Sequence, residues 1–354
     1  MTGAAVRVGV LGCSAIAWRR TLPALRACPD TEVVAVASRD GAKAERFAAE
    51  FGTDATDYAG LLARPDVDAV YLPLPPALHE RWGVAALTAG KHLLVEKPLA
   101  ADPAAARALV SVADDAGLVL RENFMFLHHP QHARVRDLMI GGRIGGPRAL
   151  RAAFGIPPLP DADIRYDPTL GGGALLDVGV YPLRLAQHLL GDDLRVTGAV
   201  LHQDARGVDV GGAALLVSAT GVPVSVEFGF RHAYGSRYEL WGSTGRLLLD
   251  RAFTPPPGWQ PVLRVEEQDH AEEHTLPAAD QFRLSVAAFA AAVRAGHRAG
   301  HGPERAWCAA AVTTVELAAA VRAAAVTIPA GAVGALVPAG GQGAADPAEL
   351  SAWR

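Results

Sequence analysis

The chain predicts a two-part fold: an N-terminal α/β unit with a parallel, doubly wound sheet, then an α+β unit with an open, mostly antiparallel sheet. Three observations predict it. Apolar β runs alternate with helix-spaced segments over the first third of the sequence. After about residue 124 the alternating runs follow one another with few helices between them, which suits an antiparallel sheet with one uncovered face. The length, 354 residues, exceeds what one ordinary core holds.

VRVGVLG (6–12) is an apolar β run ending in glycine, and IAWRRTLPALRAC (16–28) follows with helical spacing, kinked or restarted at Pro23. EVVAVAS (32–38) is the second run, and GAKAERFAAEFG (41–52) is a helix ended by Gly52. AVYLPL (69–74) and HLLVEK (92–97) are two further strands, separated by the helical ALHERWGVAALTAG (77–90). Asp102 and Pro103 form a cap pair opening the helix PAAARALVSVADDAG (103–117), and LVLREN (118–123) closes the series. The first domain is placed at residues 1–122. The helix PQHARVRDLMIGG (130–142) follows, then the runs PRALRAAFG, LRVTGAVLH, GAALLVSAT, PVSVEFGF, YELWGS and GRLLLD. One helical stretch, GGGALLDVGVYPLRLAQHLLG (171–191), interrupts them. Helices near 280–296 and 303–324 close the second domain, residues 123–329, and return toward the first. The Ala/Gly/Pro-rich remainder, 330–354, is expected to be poorly ordered.

Composition excludes several function classes. A net charge of −4, with no Lys/Arg run, zinc spacing or recognition helix, speaks against a nucleic-acid partner. Cys13, Cys28 and Cys308 have neither CxxC spacing nor an even-numbered framework, which suits a reducing cytoplasm. MTGAAVRVGVLG lacks the charged region, apolar stretch and cleavage site of a secretion signal. The most apolar long region, CAAAVTTVELAAAVRAAAVTIPAG (308–331), carries Glu316 and Arg322 and meets Pro329, so a packed amphipathic helix explains it better than a membrane span. HHPQH (128–132) has no carboxylate or cysteine spaced to complete a zinc set, and no metal is expected.

GVLGCSAIA places Gly12 at the end of the first strand with a helix directly behind it, where a dinucleotide pyrophosphate meets free helix N–H groups. Ser14 and Ala17 replace the second and third glycines of G-x-G-x-x-G. Small residues still let a backbone come close, so Gly12, Cys13, Ser14, Ala15, Ile16 and Ala17 form the candidate cofactor loop. At the end of the second strand Ser38 and Arg39 offer a hydroxyl and a guanidinium to a 2′-phosphate, which favours NADP(H). Asp40 leaves NAD open.

Glu96-Lys97-Pro98 puts two charges at the tip of an apolar strand, which costs desolvation unless something there uses them. In an open parallel sheet that tip overlooks the ligand crevice. Lys97 is expected to face cofactor and substrate, with Glu96 fixing its position. Pro98 sets the turn, and a cis Lys97–Pro98 bond is accessible at about 0.5–1 kcal/mol. Asp177 and Tyr181, four apart, share a helix face, and Gly171 to Gly173 are expected to let a ligand approach the backbone. A tyrosine donates a proton from a resting pKa of about 10, and a lysine ammonium nearby is expected to lower that value. Arg165 is a candidate for the cofactor amide or a substrate phosphate. Of Trp18, Arg19 and Arg20 beside the phosphate loop, Arg20 is the candidate for a second diphosphate, and Arg19 reads better as solvated.

AGKHLLVEKPLA, with GVLGCSAIA upstream and GGGALLDVGVYP downstream, resembles the Gfo/Idh/MocA oxidoreductase family over about residues 5–325. The resemblance implies an N-terminal Rossmann domain joined to a C-terminal domain with an open, largely antiparallel sheet. It implies that Lys97 of the EKP motif stands close to the nicotinamide and the substrate carbonyl, and that Leu74, Pro75 and His79 line the path from adenosine to nicotinamide. Many members carry histidine where this chain has Tyr181; family position makes Lys97, Tyr181 and Asp177 the catalytic set. ENFMFLHHPQHARVRDLMIGGRIGG together with Tyr181 resembles the sugar-nucleotide 3-ketoreductases. That implies NADPH-dependent reduction at C3 of a dTDP-linked 3,4-diketo-2,6-dideoxyhexose in deoxysugar biosynthesis for antibiotics. Lys97 and Tyr181 supply the proton and stabilise the alkoxide in this reading. Two alternatives stand: a dehydrogenase of a free sugar, inositol or dihydrodiol, and a non-catalytic dinucleotide-binding regulator. The open sheet face calls for a cover, so a homodimer or homotetramer through that face is expected.

Overall fold

A computed structural model describes residues 4–331, so the expected tail lies outside the described residues from 332 onward. The first sheet has six strands: β1 (Val6–Leu11), β2 (Thr31–Ala37), β3 (Asp54–Thr56), β4 (Ala69–Leu72), β5 (His92–Val95) and β6 (Leu120–Glu122). They run in the order β3-β2-β1-β4-β5-β6, all parallel. Helices cover both faces, which is why β4 and β5 read as unbroken apolar runs. The chain reverses its direction of travel across the sheet between β1 and β4, and in such sheets ligands settle over the strand ends at that point.

The first crossover restarts at Pro23 as expected, with a π-helical turn ahead of it that was not anticipated. A π-helical turn at Ala17–Thr21 precedes α1 (Leu22–Ala27), and Pro23 sits in the first turn of α1, where its missing N–H costs nothing. Asp40 caps α2 (Gly41–Phe51), and Gly52 ends it with a φ of 65°. Two short elements, β3 and α3 (Tyr58–Ala63), were not expected; neither is long enough to show a period. α4 (His79–Thr88) leads to β5, and Asp102 caps α5 (Pro103–Asp115) by accepting from Ala104 and Ala105 N–H.

After α6 (Pro130–Ile140) the second sheet begins with β7 (Pro147–Gly155). A π-helical turn at Leu175–Gly179 runs into α7 (Val180–Leu190). Then come β8 (Leu194–Gln203), β9 (Asp209–Ser218), β10 (Pro223–Gly229), β11 (Gly235–Gly242), β12 (Arg246–Asp250), β13 (Val262–Glu266) and β14 (Ala271–Thr275). α8 (Gln281–Arg294), α9 (Gly302–Ala324) and β15 (Ala325–Ile328) complete it. The nine strands lie in the order β14-β13-β12-β11-β7-β10-β9-β8-β15, antiparallel except for β7–β10 and β8–β15. Three of these strands were not anticipated. β14 is largely polar, β13 follows a proline run, and β15 continues directly from α9, just past the end of the expected helix.

α7 packs on one face of this sheet and touches α9. The other face is open and carries exposed Val200, Leu215, Trp241, Val262 and Val326. α9 is long and apolar enough to cross a membrane by length and composition alone, yet it packs against α5, α7, β6 and β8. One continuous apolar core joins the α1 and α2 side of the first sheet to the covered face of the second. The two halves therefore meet along a buried seam, with the β5 tip and the start of α7 on it.

Candidate functional site

Gly12 ends β1 with a φ of 126°, a conformation closed to most side chains. A Cβ there would lie 2.6 Å from Leu74 Cδ2, so only glycine lets the two loops approach this closely. The helix behind Gly12 offers first-turn N–H groups that have no partner within the helix. Ser14 Oγ accepts one of them, from Ala17 at 3.2 Å. Ala15 is exposed, Ser14 and Ile16 are half-buried, and Cys13 is buried with its thiol pushed up to about 11 by that burial. Ser38 and Arg39 follow β2; Arg39 is exposed beside the Tyr58 hydroxyl, and Ser38 Oγ accepts the Asp40 N–H at 3.1 Å. The loop thus fits a dinucleotide: a cradle only glycine permits, free N–H groups, and a hydroxyl and guanidinium at the second strand end.

Lys97 stands at the tip of β5, next to a cis Lys97–Pro98 bond. Its ammonium donates to Asp177 Oδ1 at 2.6 Å and to the Asp177 carbonyl at 2.7 Å. The two side chains are 13% and 20% exposed, open enough to meet a substrate and buried enough for the charge to be felt. Asp177 lies in the π-helical turn before α7, and Arg165 Nε donates to its other oxygen at 2.8 Å. Burial pushes the Asp177 carboxyl up, but Arg165 and Lys97 outweigh it and bring it to about 2. A cation, an anion and a second cation therefore stand in a row across the seam. Asp163 extends the row by pairing with Arg165 at 3.2 Å.

Several expectations are corrected here. Glu96 does not pair with the Lys97 ammonium: its carboxylate turns inward to accept from Tyr71 at 2.7 Å and Asn123 at 2.8 Å, and it meets Lys97 through the backbone N–H and by charge. Asp177 holds the ammonium. The Tyr181 hydroxyl is not activated by Lys97. The ammonium sits over the ring, 5.2 Å from its centre, while the hydroxyl points to Met125 Sδ at 3.8 Å. Burial, then the charges of Glu96 and Asp177, push this phenol well above its ordinary value rather than below it. Phe124, Phe126, Phe154 and Phe253 surround the ring at centroid distances of 5.1–5.6 Å.

Gly171 to Gly173 make room for the protein rather than for a ligand. A Cβ on Gly171 would meet Pro76 and Ala77, one on Gly172 the Arg165 and Asp167 carbonyls, and one on Gly173 the Asp209 carboxylate. Asp209 also accepts the Leu175 N–H at 2.6 Å, anchoring the turn that bears Asp177. His79 is fully buried and cannot line a cofactor path. Its ring nitrogens lie 3.0 Å from the Pro98 carbonyl and 2.7 Å from the Leu74 carbonyl, tying the β4 loop to the Lys97 loop. Leu74 is half-buried beside Gly12, and Pro75, next to it in the chain, is half-buried as well. Arg20 is exposed on the first π-helical turn and makes no ion pair among the described residues.

Sequence reasoning missed Asp163, Asn123, Tyr71 and Glu122. Asp163 had a signal, since it stands two residues before Arg165; Tyr71 lies in β4 while Glu122 and Asn123 lie at the end of β6, so they meet only in three dimensions. Among the described residues no group of three or more His, Cys, Asp or Glu is arranged to hold a metal ion.

Comparison with known proteins agrees with this geometry. The family described as an oxidoreductase family with an NAD-binding Rossmann fold matches residues 6–124, and the GFO/IDH/MocA C-terminal domain matches residues 132–248. A dTDP-3,4-didehydro-2,6-dideoxy-alpha-D-glucose 3-reductase from Actinomadura kijaniata is 53% identical over 90% of this chain and 95% of its own length. One of the same description from Streptomyces violaceoruber is 54% identical over the same shares. The crystal structure of a 3-ketoreductase from A. kijaniata, in complex with NADP and TDP-benzene, superposes with a TM-score of 0.88 at 52% identity, covering 92% of this chain and 99% of that one. An aldose-aldose oxidoreductase from Caulobacter crescentus shares the fold at 22% identity, with a TM-score of 0.81 over 90% of this chain and 97% of that one. With both halves matched in order, this chain belongs to the GFO/IDH/MocA oxidoreductase family.

Proposed function

We propose that the protein is an NADPH-dependent 3-ketoreductase acting on a dTDP-linked 3,4-diketo-2,6-dideoxyhexose in deoxysugar biosynthesis. The observation that carries the reading is the Lys97 ammonium, fixed by Asp177 at the seam between the dinucleotide half and the sheet half. Relatives above 50% identity that are named for this reaction support the choice of substrate.

Gly12 to Ala17, Ser38, Arg39, Leu74 and Pro75 hold the cofactor in this reading, which when bound supplies the hydride. Lys97 hydrogen-bonds the C3 carbonyl oxygen, stabilises the charge that develops there and gives up a proton to it. Asp177 keeps that nitrogen aimed; as an anion on the site's side of the seam it also offers an acceptor to a sugar hydroxyl. Arg165 holds Asp177 and flanks the cofactor amide or a substrate phosphate. Tyr181 closes the site with its ring, beneath the ammonium. Arg20 extends toward the substrate's diphosphate from the helix beside the phosphate loop. The domains are assigned to residues 1–122 and 123–329. The exposed apolar side chains of the second sheet, with Val326 paired to Val200 across β15 and β8, form the seat of a second copy in a homodimer or homotetramer.

The test is an assay of purified protein on dTDP-keto-deoxysugars and on free sugars, inositol and dihydrodiols, with NADPH and with NADH, in the wild type and in Arg39→Ala. The reading expects turnover of the dTDP-sugar with NADPH, and an Arg39→Ala defect much larger for NADPH than for NADH. Preference for a free polyol would move the assignment to the dehydrogenase alternative. NADPH binding without turnover of any carbonyl would move it to the regulator.

A further inference from the structure

We propose that Glu122 is a positioning residue of the reductase, holding the loop that carries Lys97 from behind through the backbone N–H of Leu99. The inference rests on the ketoreductase reading and deepens it. Glu122 ends β6, opposite Val95 in the register of β5. Its Oε1 accepts the Leu99 N–H at 2.7 Å, two residues beyond Lys97. Its Oε2 is buried with no hydrogen-bond partner among the described residues, and the whole residue is 1% exposed. His79 faces the Pro98 carbonyl on the other side, so the two side chains grip adjacent backbone groups of one turn. Lys97 is thereby presented to Asp177 from a loop braced by both contacts.

A buried carboxylate with one empty oxygen is a poor choice for stability, since an uncharged residue of the same shape avoids the desolvation. The charged and titratable groups around it are Glu96 and Lys97 from the β5 end, Arg184 and Tyr181 from α7, and Cys308 from α9. Arg184 acts on Glu122 but makes no ion pair with it among the described residues. Burial raises the Glu122 carboxyl to about 7, against the pull of Arg184 and Lys97. Above that pH the ionised oxygen is the stronger acceptor for Leu99; below it the grip slackens. Stability runs the other way. A carboxyl whose folded pKa lies above its unfolded value stabilises most when protonated, and that increment is lost as pH rises through about 7. A purely structural carboxylate moves stability and activity together, whereas this one moves them in opposite directions.

Glu122→Gln keeps an acceptor oxygen and the shape while removing the charge. In full-length protein labelled with ¹⁵N-leucine, the Leu99 amide should titrate near neutrality in the wild type and stay still in Glu122→Gln. Turnover of a reducible carbonyl with NADPH should fall several-fold below wild type at about pH 8 and match it at about pH 5.5, while the melting temperature at about pH 8 rises. Glu96→Gln should keep the acid limb. An unmoved Leu99 amide in the wild type, or an acid limb that survives Glu122→Gln, would overturn the proposal. A wild type that reduces no carbonyl at all would sink the ketoreductase reading, and the amide titration would still decide whether Glu122 grips the loop.

Discussion

Lys97 is held from two sides that work by different physics. On one side stand Asp177 and Arg165, with charge-assisted hydrogen bonds of 2.6–2.8 Å. On the other lies the Tyr181 ring, 5.2 Å away and walled in by four phenylalanines. Hydrogen bonds to charged groups contribute about 1.5–3 kcal/mol. A cation over a ring contributes about 0.5–2 kcal/mol, depending on desolvation. The ionic side therefore fixes where the nitrogen points, and the aromatic side keeps water from its back. The lesson is that a buried tyrosine near a lysine is not automatically an acid: the hydroxyl has to be on the lysine's side of the ring.

The largest expected effect comes from removing the group both sides hold. Lys97→Ala should lower kcat by about 10²–10⁴-fold, the usual contribution of a positioned proton donor, while NADPH affinity measured by fluorescence titration changes by no more than a few fold. Near-normal turnover in that variant would take the ammonium out of the chemistry and leave the contrast between the two sides without a function.

How much of this was legible in the sequence follows from which contacts are local. The β5 tip, the Gly12 turn, the cap at Asp102 and the helix end at Gly52 each depend on a few consecutive residues, and each stood where the pattern placed it. The i, i+4 spacing of Asp177 and Tyr181 was also legible. It did not reveal that Asp177 falls in a π-helical turn or that Tyr181 turns its hydroxyl toward Met125, because both depend on what α7 packs against. Glu96 misled for the same reason. Glu96 was expected to fix the lysine beside it, yet its carboxylate goes to Tyr71 and Asn123 while the Lys97 ammonium goes to Asp177. The glycine run showed that something comes close, and only three dimensions show that it is Pro76, Ala77 and Asp209. Short strands such as β14 and β15 were lost because polar composition or a preceding helix hid their period.

Asp177→Asn should rank second. The amide keeps the shape but loses the charge, so Lys97 and Arg165 face each other without the anion that separates them. Turnover should fall less than in Lys97→Ala, by about tenfold for a lost charge-assisted bond. The acid stability of the fold offers a second measurement. Because the Asp177 carboxyl is brought down to about 2, its stabilising contribution is complete above the unfolded carboxylate range and is lost as pH falls toward 2. Wild type and variant should then differ in melting temperature at neutral pH and converge as the pH approaches 2. A constant difference across that range would show that the ionic side contributes packing and not charge.

Tyr181→Phe is the smallest expected change and the sharpest test of the comparison. The substitution deletes a hydroxyl whose sole hydrogen bond among the described residues is a long one to a thioether, and it keeps the ring, the four phenylalanine contacts and the surface beneath Lys97. Stability should shift by no more than about 1 kcal/mol in either direction, since a weak neutral hydrogen bond is exchanged for a slightly looser apolar fit. The phenol sits far above its ordinary pKa, so it is a poor proton donor at neutral pH, and kcat should stay within a few fold of wild type with an unchanged pH profile. A loss approaching that of Lys97→Ala, or the disappearance of one limb of the profile, would mean that the ring flips when substrate arrives and brings its hydroxyl to the carbonyl. The aromatic side would then be the acid, and the ionic side its support.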